Sequence, residues 1–220
     1  MKVKIPGFEQ PVRPGKIICV AKNYRLHAEE MNEEVPEEPA LFLKPPTALI
    51  PNRGVVELPP QSAEVHHEIE LVVVIGKKGK WIDETEAMNY VAGYAVGLDM
   101  TARDIQRQAK AKGMPWAIAK GFDTFAPLGD IISPEEVPDP HNLPIRLTVN
   151  KEDRQLGHTS EMIFPISYLI AFASGIWTLE PGDLIYTGTP SGVGPVYHND
   201  VLVGYIGHLP ILEVTVELPK

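Results

Sequence analysis

The chain has 220 residues, 44% of them hydrophobic, and a formal net charge of −9; one sizeable core is expected, and a nucleic-acid binder is argued against because phosphate affinity rests on surplus Lys and Arg. No apolar stretch approaches the ~18 residues of a membrane span and the opening MKVKIPGFEQ has no apolar leader pattern, so a cytoplasmic protein away from membranes is expected. The single cysteine, Cys19, cannot form an intramolecular disulfide and, within the apolar run IICVA, reads as core.

Short apolar runs bounded by Pro and Gly predict strands over 17–21, 40–44, 55–58, 69–75, 90–98, 145–150, 184–186 and 209–217. Helices are predicted over 24–32, 101–112 and 165–175. The strands do not alternate one-for-one with helices, and 22 prolines and 18 glycines punctuate them. The expected fold is therefore α+β and β-rich, a mixed β-sheet rolled into a barrel-like shape with a few short helices, not a doubly wound sheet. Residues 133–143, rich in Pro and acid, are expected to form a surface loop. The expected organisation is a short N-terminal extension over 1–15 followed by a single catalytic domain over 16–220.

Along the chain, Asn23 reads as the cap of a helix that places His27 and Glu30 at i and i+3 on one face. A Glu so placed can hold a histidine that acts as a general base, though an exposed ion pair has the same spacing. Further on, HHEIELVVVIG sets Glu68 and Glu70 at the mouth of an apolar run. In a strand His66, Glu68 and Glu70 share one face, so either the two carboxylates face water, one keeps its proton, or a cation sits between them. Asp99 ends the next strand at a corner where Thr101 reads as an N-cap with Asp104 three residues on. An all-carboxylate set suits Mg²⁺, Mn²⁺ or Ca²⁺ better than zinc, which His66 and His67 keep open.

On the following helix Arg103, Gln106 and Arg107 share a face that would ordinarily be solvated. Lys44 and Lys120 each follow an apolar run; such lysines usually reach to solvent, or bind a carboxylate if they line a pocket. The loop YTGTPSGVG lacks the Gly-Lys-Ser/Thr ending of a nucleotide-binding loop, but its glycines let backbone N–H groups converge on a smaller anion. The polar run 29–38 (EEMNEEVPEE) reads as either a lid or a charged loop.

The segments KNYRLHAEEM, LFLKPPTAL, HHEIELVVVIG, GYAVGLDMTARD, MPWAIAKGFDTFAPLG, TSEMIFPISYLI and LEPGDLIYTGTPSGVGPV follow one another over 16–216 as in the fumarylacetoacetate hydrolase superfamily. The chain most resembles its small acylpyruvase and oxaloacetate decarboxylase branch. That resemblance implies a rolled, barrel-like fold, usually homodimeric, with Mg²⁺ (or Mn²⁺) on Glu68, Glu70 and Asp99. It also implies a His27–Glu30 catalytic dyad, with Lys120 and Gln106 beside the metal. Thr189 and Gly188, with Arg103 and Lys44, would hold the substrate. Larger relatives carry an extra N-terminal domain absent from this sequence, which argues against fumarylacetoacetate itself as substrate.

The activity so implied is cleavage of the C3–C4 bond of a small 2-oxo acid, by acylpyruvate hydrolysis or oxaloacetate decarboxylation. An isomerase or tautomerase of an enolisable oxo acid would use the same parts, and a metal- or ligand-binding module without catalysis is the reading from another class.

Overall fold

The computed structural model describes residues 1–30 and 34–219. Its strands are β1 (Ile17–Ala21), β2 (Ala40–Lys44), β3 (Leu49–Pro51), β4 (Val55–Glu57), β5 (Val65–His67), β6 (Ile69–Ile75), β7 (Val91–Leu98), β8 (Thr101–Ala102), β9 (Ala126–Leu128), β10 (Pro144–Val149), β11 (Glu152–His158), β12 (Leu184–Tyr186), β13 (Gly194–Pro195), β14 (Val201–Ile206) and β15 (Leu212–Glu217). Its helices are α1 (Arg25–Glu30), α2 (Arg103–Ala111), α3 (Ala117–Lys120) and α4 (Ile166–Ile176). The predicted first helix and the polar run 29–38 extend over residues 31–33, which lie outside the described residues.

Among the described residues the strands form a seven-stranded sheet in the order β2-β1-β12-β6-β7-β9-β3, a five-stranded sheet β11-β10-β14-β15-β4, and a small sheet β13-β5-β8. The large sheet is mixed: β1 runs parallel to β12, while β6 is antiparallel to both β12 and β7. The result is the expected strand-rich α+β fold with a curled, half-barrel sheet.

Apart from Glu70, β6 is apolar because both of its faces are covered. Ile69, Leu71, Val73 and Ile75 join a core shared with Leu147, Leu202 and Leu212 of the five-stranded sheet and Leu169 and Ile170 of α4. Val72 and Val74 point the other way, into a cluster with Cys19, Tyr186 and the N-terminal Val3 and Ile5. Cys19 is thus a buried core residue with a free thiol. Gly204 on β14 allows the two larger sheets to approach, since a Cβ there would lie 3.0 Å from Val96 and 3.1 Å from Ile69.

Several local expectations are corrected. The strand containing the two glutamates passes from the small sheet (β5) to the large one (β6) at Glu68, while one antiparallel register runs through both. His66 bonds Glu64 at 2.8 Å rather than joining the three acids. Asn23 does not cap α1. Its Oδ1 accepts from Phe164 N and its Nδ2 donates to Phe164 O and Thr187 O, tying three segments together. Thr101 lies in β8 and α2 begins two residues later, its N-cap Ala102 making no side-chain bond; Asp104 instead accepts from Ser62 and Ala63. Residues 133–143 are anchored by buried Val137 and Leu143. β11 and β14 lie where no strand was predicted.

Candidate active site and metal centre

The antiparallel pairing of β6 with β7 aligns Ile69 with Leu98 and Glu70 with Gly97. One step beyond that register, Asp99 N donates to Glu68 O at 2.8 Å, so Asp99 stands across the ladder from Glu68. The three acids thus converge: ligand oxygens of Glu68, Glu70 and Asp99 lie within 4.8 Å of one another, and all three residues are buried.

Cations surround two of the acids and not the third. Glu68 Oε1 accepts from Arg103 Nη2 at 2.6 Å and from Thr101 Oγ1 at 3.1 Å, and Oε2 accepts from Lys120 Nζ at 2.8 Å. Burial works to raise the Glu68 carboxyl, but Lys120 and Arg103 outweigh it and hold it well below the ordinary carboxylate range. Asp99 Oδ2 accepts from Lys120 at 2.6 Å, while Oδ1 is 2.7 Å from Lys44 Nζ but not aligned for a hydrogen bond. Lys120 stays charged: burial would lower it, but Asp99 and Glu68 raise it above the usual lysine value. Among the described residues Glu70 receives only a backbone bond, from Gly188 N to Oε2 at 2.7 Å. Burial, then Asp99 and Glu68, push its carboxyl well above the ordinary range.

That imbalance fits a divalent cation. Three buried acids, all offering oxygen, leave Glu70 with no hydrogen-bonded cationic partner among the described residues and Asp99 Oδ1 with an unaligned lone pair, a donor set suited to Mg²⁺ or Mn²⁺. His66 and His67 are not part of it.

The acids open into a cavity also lined by His27, Gln106, Lys120 and Thr189. His27 Nδ1 lies 3.3 Å from Glu30 Oε2, and Gly192 N donates to Glu30 Oε1 and Oε2 at 3.0 and 3.2 Å. Burial would raise the Glu30 carboxyl, but the bonds from His27 and Gly192 hold it below the ordinary range. Arg103 Nη1 donates to Gln106 Oε1 at 2.7 Å, so Gln106 presents its amide N–H end elsewhere. Arg103 and Gln106 are buried and line the cavity, unlike the solvated face expected, whereas Arg107 pairs with Glu64 at the surface.

Two of the expected substrate residues, Gly188 and Lys44, contact the acids. Gly188 binds Glu70 through its backbone, and Lys44 is fully buried, donating to Met100 O at 3.0 Å, Phe125 O at 2.9 Å and Lys120 O. Neither lines the cavity. Sequence reasoning missed Phe42 and Trp116, which form an apolar wall with ring centroids 5.9 Å apart. For Trp116 the available signal was its place four residues before Lys120 in MPWAIAK.

The family model for the fumarylacetoacetate hydrolase C-terminal region matches residues 16–217. Oxaloacetate tautomerase FAHD1, mitochondrial, of Bos taurus is 50% identical over 204 residues, covering 93% of this chain and 92% of that protein. Its Arabidopsis thaliana counterpart is 48% identical over 202 residues, covering 92% and 91%. The crystal structure of fumarylpyruvate hydrolase from Pseudomonas aeruginosa with Mn²⁺ and pyruvate superposes with a TM-score of 0.94 at 38% identity, covering 100% of this chain and 96% of that one. With a match across nearly its whole length and relatives at half identity, the chain belongs to the fumarylacetoacetate hydrolase C-terminal family.

Proposed function

We propose that the protein is a divalent-metal-dependent enzyme acting on oxaloacetate or a closely similar 2-oxo acid, and that its first activity is keto–enol tautomerisation. The observation that carries the proposal is the opening of a buried three-acid centre and a histidine–glutamate pair into one cavity. A cation bound by Glu68, Glu70 and Asp99 would supply Lewis-acid polarisation of the 2-oxo acid.

The remaining work falls to the chain. With Nδ1 engaged by Glu30, His27 has Nε2 left to take or return a proton. In ketonisation the enol O–H gives up its proton, C3 gains one, and the C2=C3 double bond becomes C2=O. Charged Lys120 and the N–H end of Gln106 steady the negative charge that develops on oxygen. Thr189 holds the substrate's carboxylate end, and Phe42 and Trp116 restrict water on one side.

C3–C4 cleavage is the second reading, favoured by the similarity to a fumarylpyruvate hydrolase seen with pyruvate. In hydrolysis His27 removes a proton from water as its oxygen adds to C4; the C3–C4 bond then breaks and C3 is protonated, giving pyruvate and a carboxylate. Decarboxylation of oxaloacetate breaks the same bond with loss of CO₂ and needs no attacking water. The same proposal takes the protein as cytoplasmic and homodimeric; light scattering of the purified chain would test the dimer.

The deciding experiment adds fresh oxaloacetate to EDTA-stripped protein, with and without Mg²⁺ or Mn²⁺, and follows the enol's ultraviolet absorbance and pyruvate release together. Metal-dependent enol loss that outruns pyruvate supports tautomerisation. Pyruvate appearing in step with substrate loss assigns cleavage, and no metal-dependent change in either removes the proposal.

A further inference from the structure

Gln155 is fully buried on β11, a strand whose other residues are exposed or half-buried. The β10–β11 register pairs Leu147 with Gln155 but Thr148 with Asp153, so Arg154 is an extra residue in the ladder and the strand bulges immediately before Gln155. Such a bulge re-aims a side chain. Here it sends an amide into the interior, where every polar atom finds a partner.

The orientation of that amide is determined by the backbone. Ile69 N can only donate, and it donates to Gln155 Oε1 at 3.0 Å; the oxygen end is therefore identified. His67 Nδ1 lies 2.9 Å from the same oxygen and must carry a proton to bond it. The opposite end, Nε2, donates to Pro190 O at 2.9 Å and to Thr189 Oγ1 at 2.8 Å. Thr189 Oγ1 is consequently an acceptor toward Gln155, and its own proton must point elsewhere. That proton meets no acceptor among the described residues, and Thr189 lines the cavity.

We propose that Gln155 is a positioning residue that turns the Thr189 hydroxyl into an obligatory hydrogen-bond donor for the carboxylate of a bound 2-oxo acid. The inference rests on the reading of the cavity as a 2-oxo acid site. The anchor is Ile69, the residue between Glu68 and Glu70, so one strand sets the acids and, through Gln155, the polarity of the group that receives the substrate's carboxylate. A glutamate at 155 would keep an oxygen for Ile69 and His67 but present a second oxygen to Thr189. The threonine proton would then turn away from the cavity.

The test is a double-mutant cycle read by calorimetric titration of pyruvate into the protein with saturating Mg²⁺. Thr189→Val is expected to weaken pyruvate about tenfold, the loss of one bond to a charged group, and Thr189→Ser to retain most of the affinity. Gln155→Glu is expected to weaken pyruvate about tenfold in the unmutated background and less than about twofold in Thr189→Val. Equal losses in both backgrounds would overturn the inference and leave the site reading standing; an unmutated protein that binds no pyruvate overturns both. Should Gln155→Glu not fold, the side-chain amide resonances of Gln155 decide. They are expected to shift when pyruvate is added to the unmutated protein but not to Thr189→Val, and unmoved resonances in the unmutated protein count against the proposal.

Discussion

A lysine at the end of an apolar run ordinarily extends along it to water. Lys44 and Lys120 do the reverse, because segments distant in sequence close over them: Lys44 is enclosed by the carbonyls of Met100, Lys120 and Phe125, and Lys120 bridges Glu68 and Asp99. This is why their surroundings could not be read from the sequence, whereas the convergence of Glu68 and Glu70 could, from strand spacing alone. Lys44 acts beneath the site as a clamp. Lys44→Met leaves three carbonyls without their donor and removes one of the two lysines beside Asp99, and removing one partner of a buried ion pair typically costs about 3–5 kcal/mol. Urea unfolding is expected to show that loss, with pyruvate affinity of the folded fraction little changed; a weakened affinity with unaltered stability would return Lys44 to the substrate.

At the scale of elements, the apolar strands β1, β2, β6 and β12 occupy the predicted ranges, since each is punctuated by polar residues, Pro or Gly. β11 was illegible because Gln155 is its one buried residue, and β14 because its small Gly204 interrupts the apolar pattern where the sheets approach. α4 also hides a connection. Its N-cap Pro165 makes no side-chain bond, and the free N–H of Ile166 donates instead to His141 Nε2 at 3.0 Å. Only neutral His141 can accept that bond. Burial lowers its pKa below the ordinary 6.5, with Asp139 working in the opposite direction. A histidine depressed in the folded state binds protons more readily when unfolded, so its stabilising contribution is complete above the unfolded value and is lost as pH falls through the folded one. The melting temperature is therefore expected to fall on acidification below about pH 6.5, and less steeply in His141→Gln, which keeps an acceptor at every pH. Parallel slopes for the two proteins would count against the role of His141.

For the molecule as a whole, the acids make the centre a place where ligand binding and folding are linked. A cation that binds only the folded chain stabilises it by about 2.7 kcal/mol at about 100 times its Kd, which for a chain of this size corresponds to about 5–10 °C in melting temperature. Mn²⁺ or Mg²⁺ added to EDTA-stripped protein is expected to give such a shift. Glu70→Gln should abolish it while melting near the stripped parent, because burial beside Asp99 and Glu68 already disfavours the charge that the substitution removes. A full shift in the variant would take Glu70 out of the metal set. The placement of Glu68 at the passage from one sheet to another, with Asp99 opposite and Glu70 two residues on, has a further consequence. Sliding β6 past β7 by one residue would turn Glu70 to the opposite face and part Glu68 from Asp99. An ion held by all three acids would therefore separate chains whose sheet has closed in register from compact impostors with the same secondary structure.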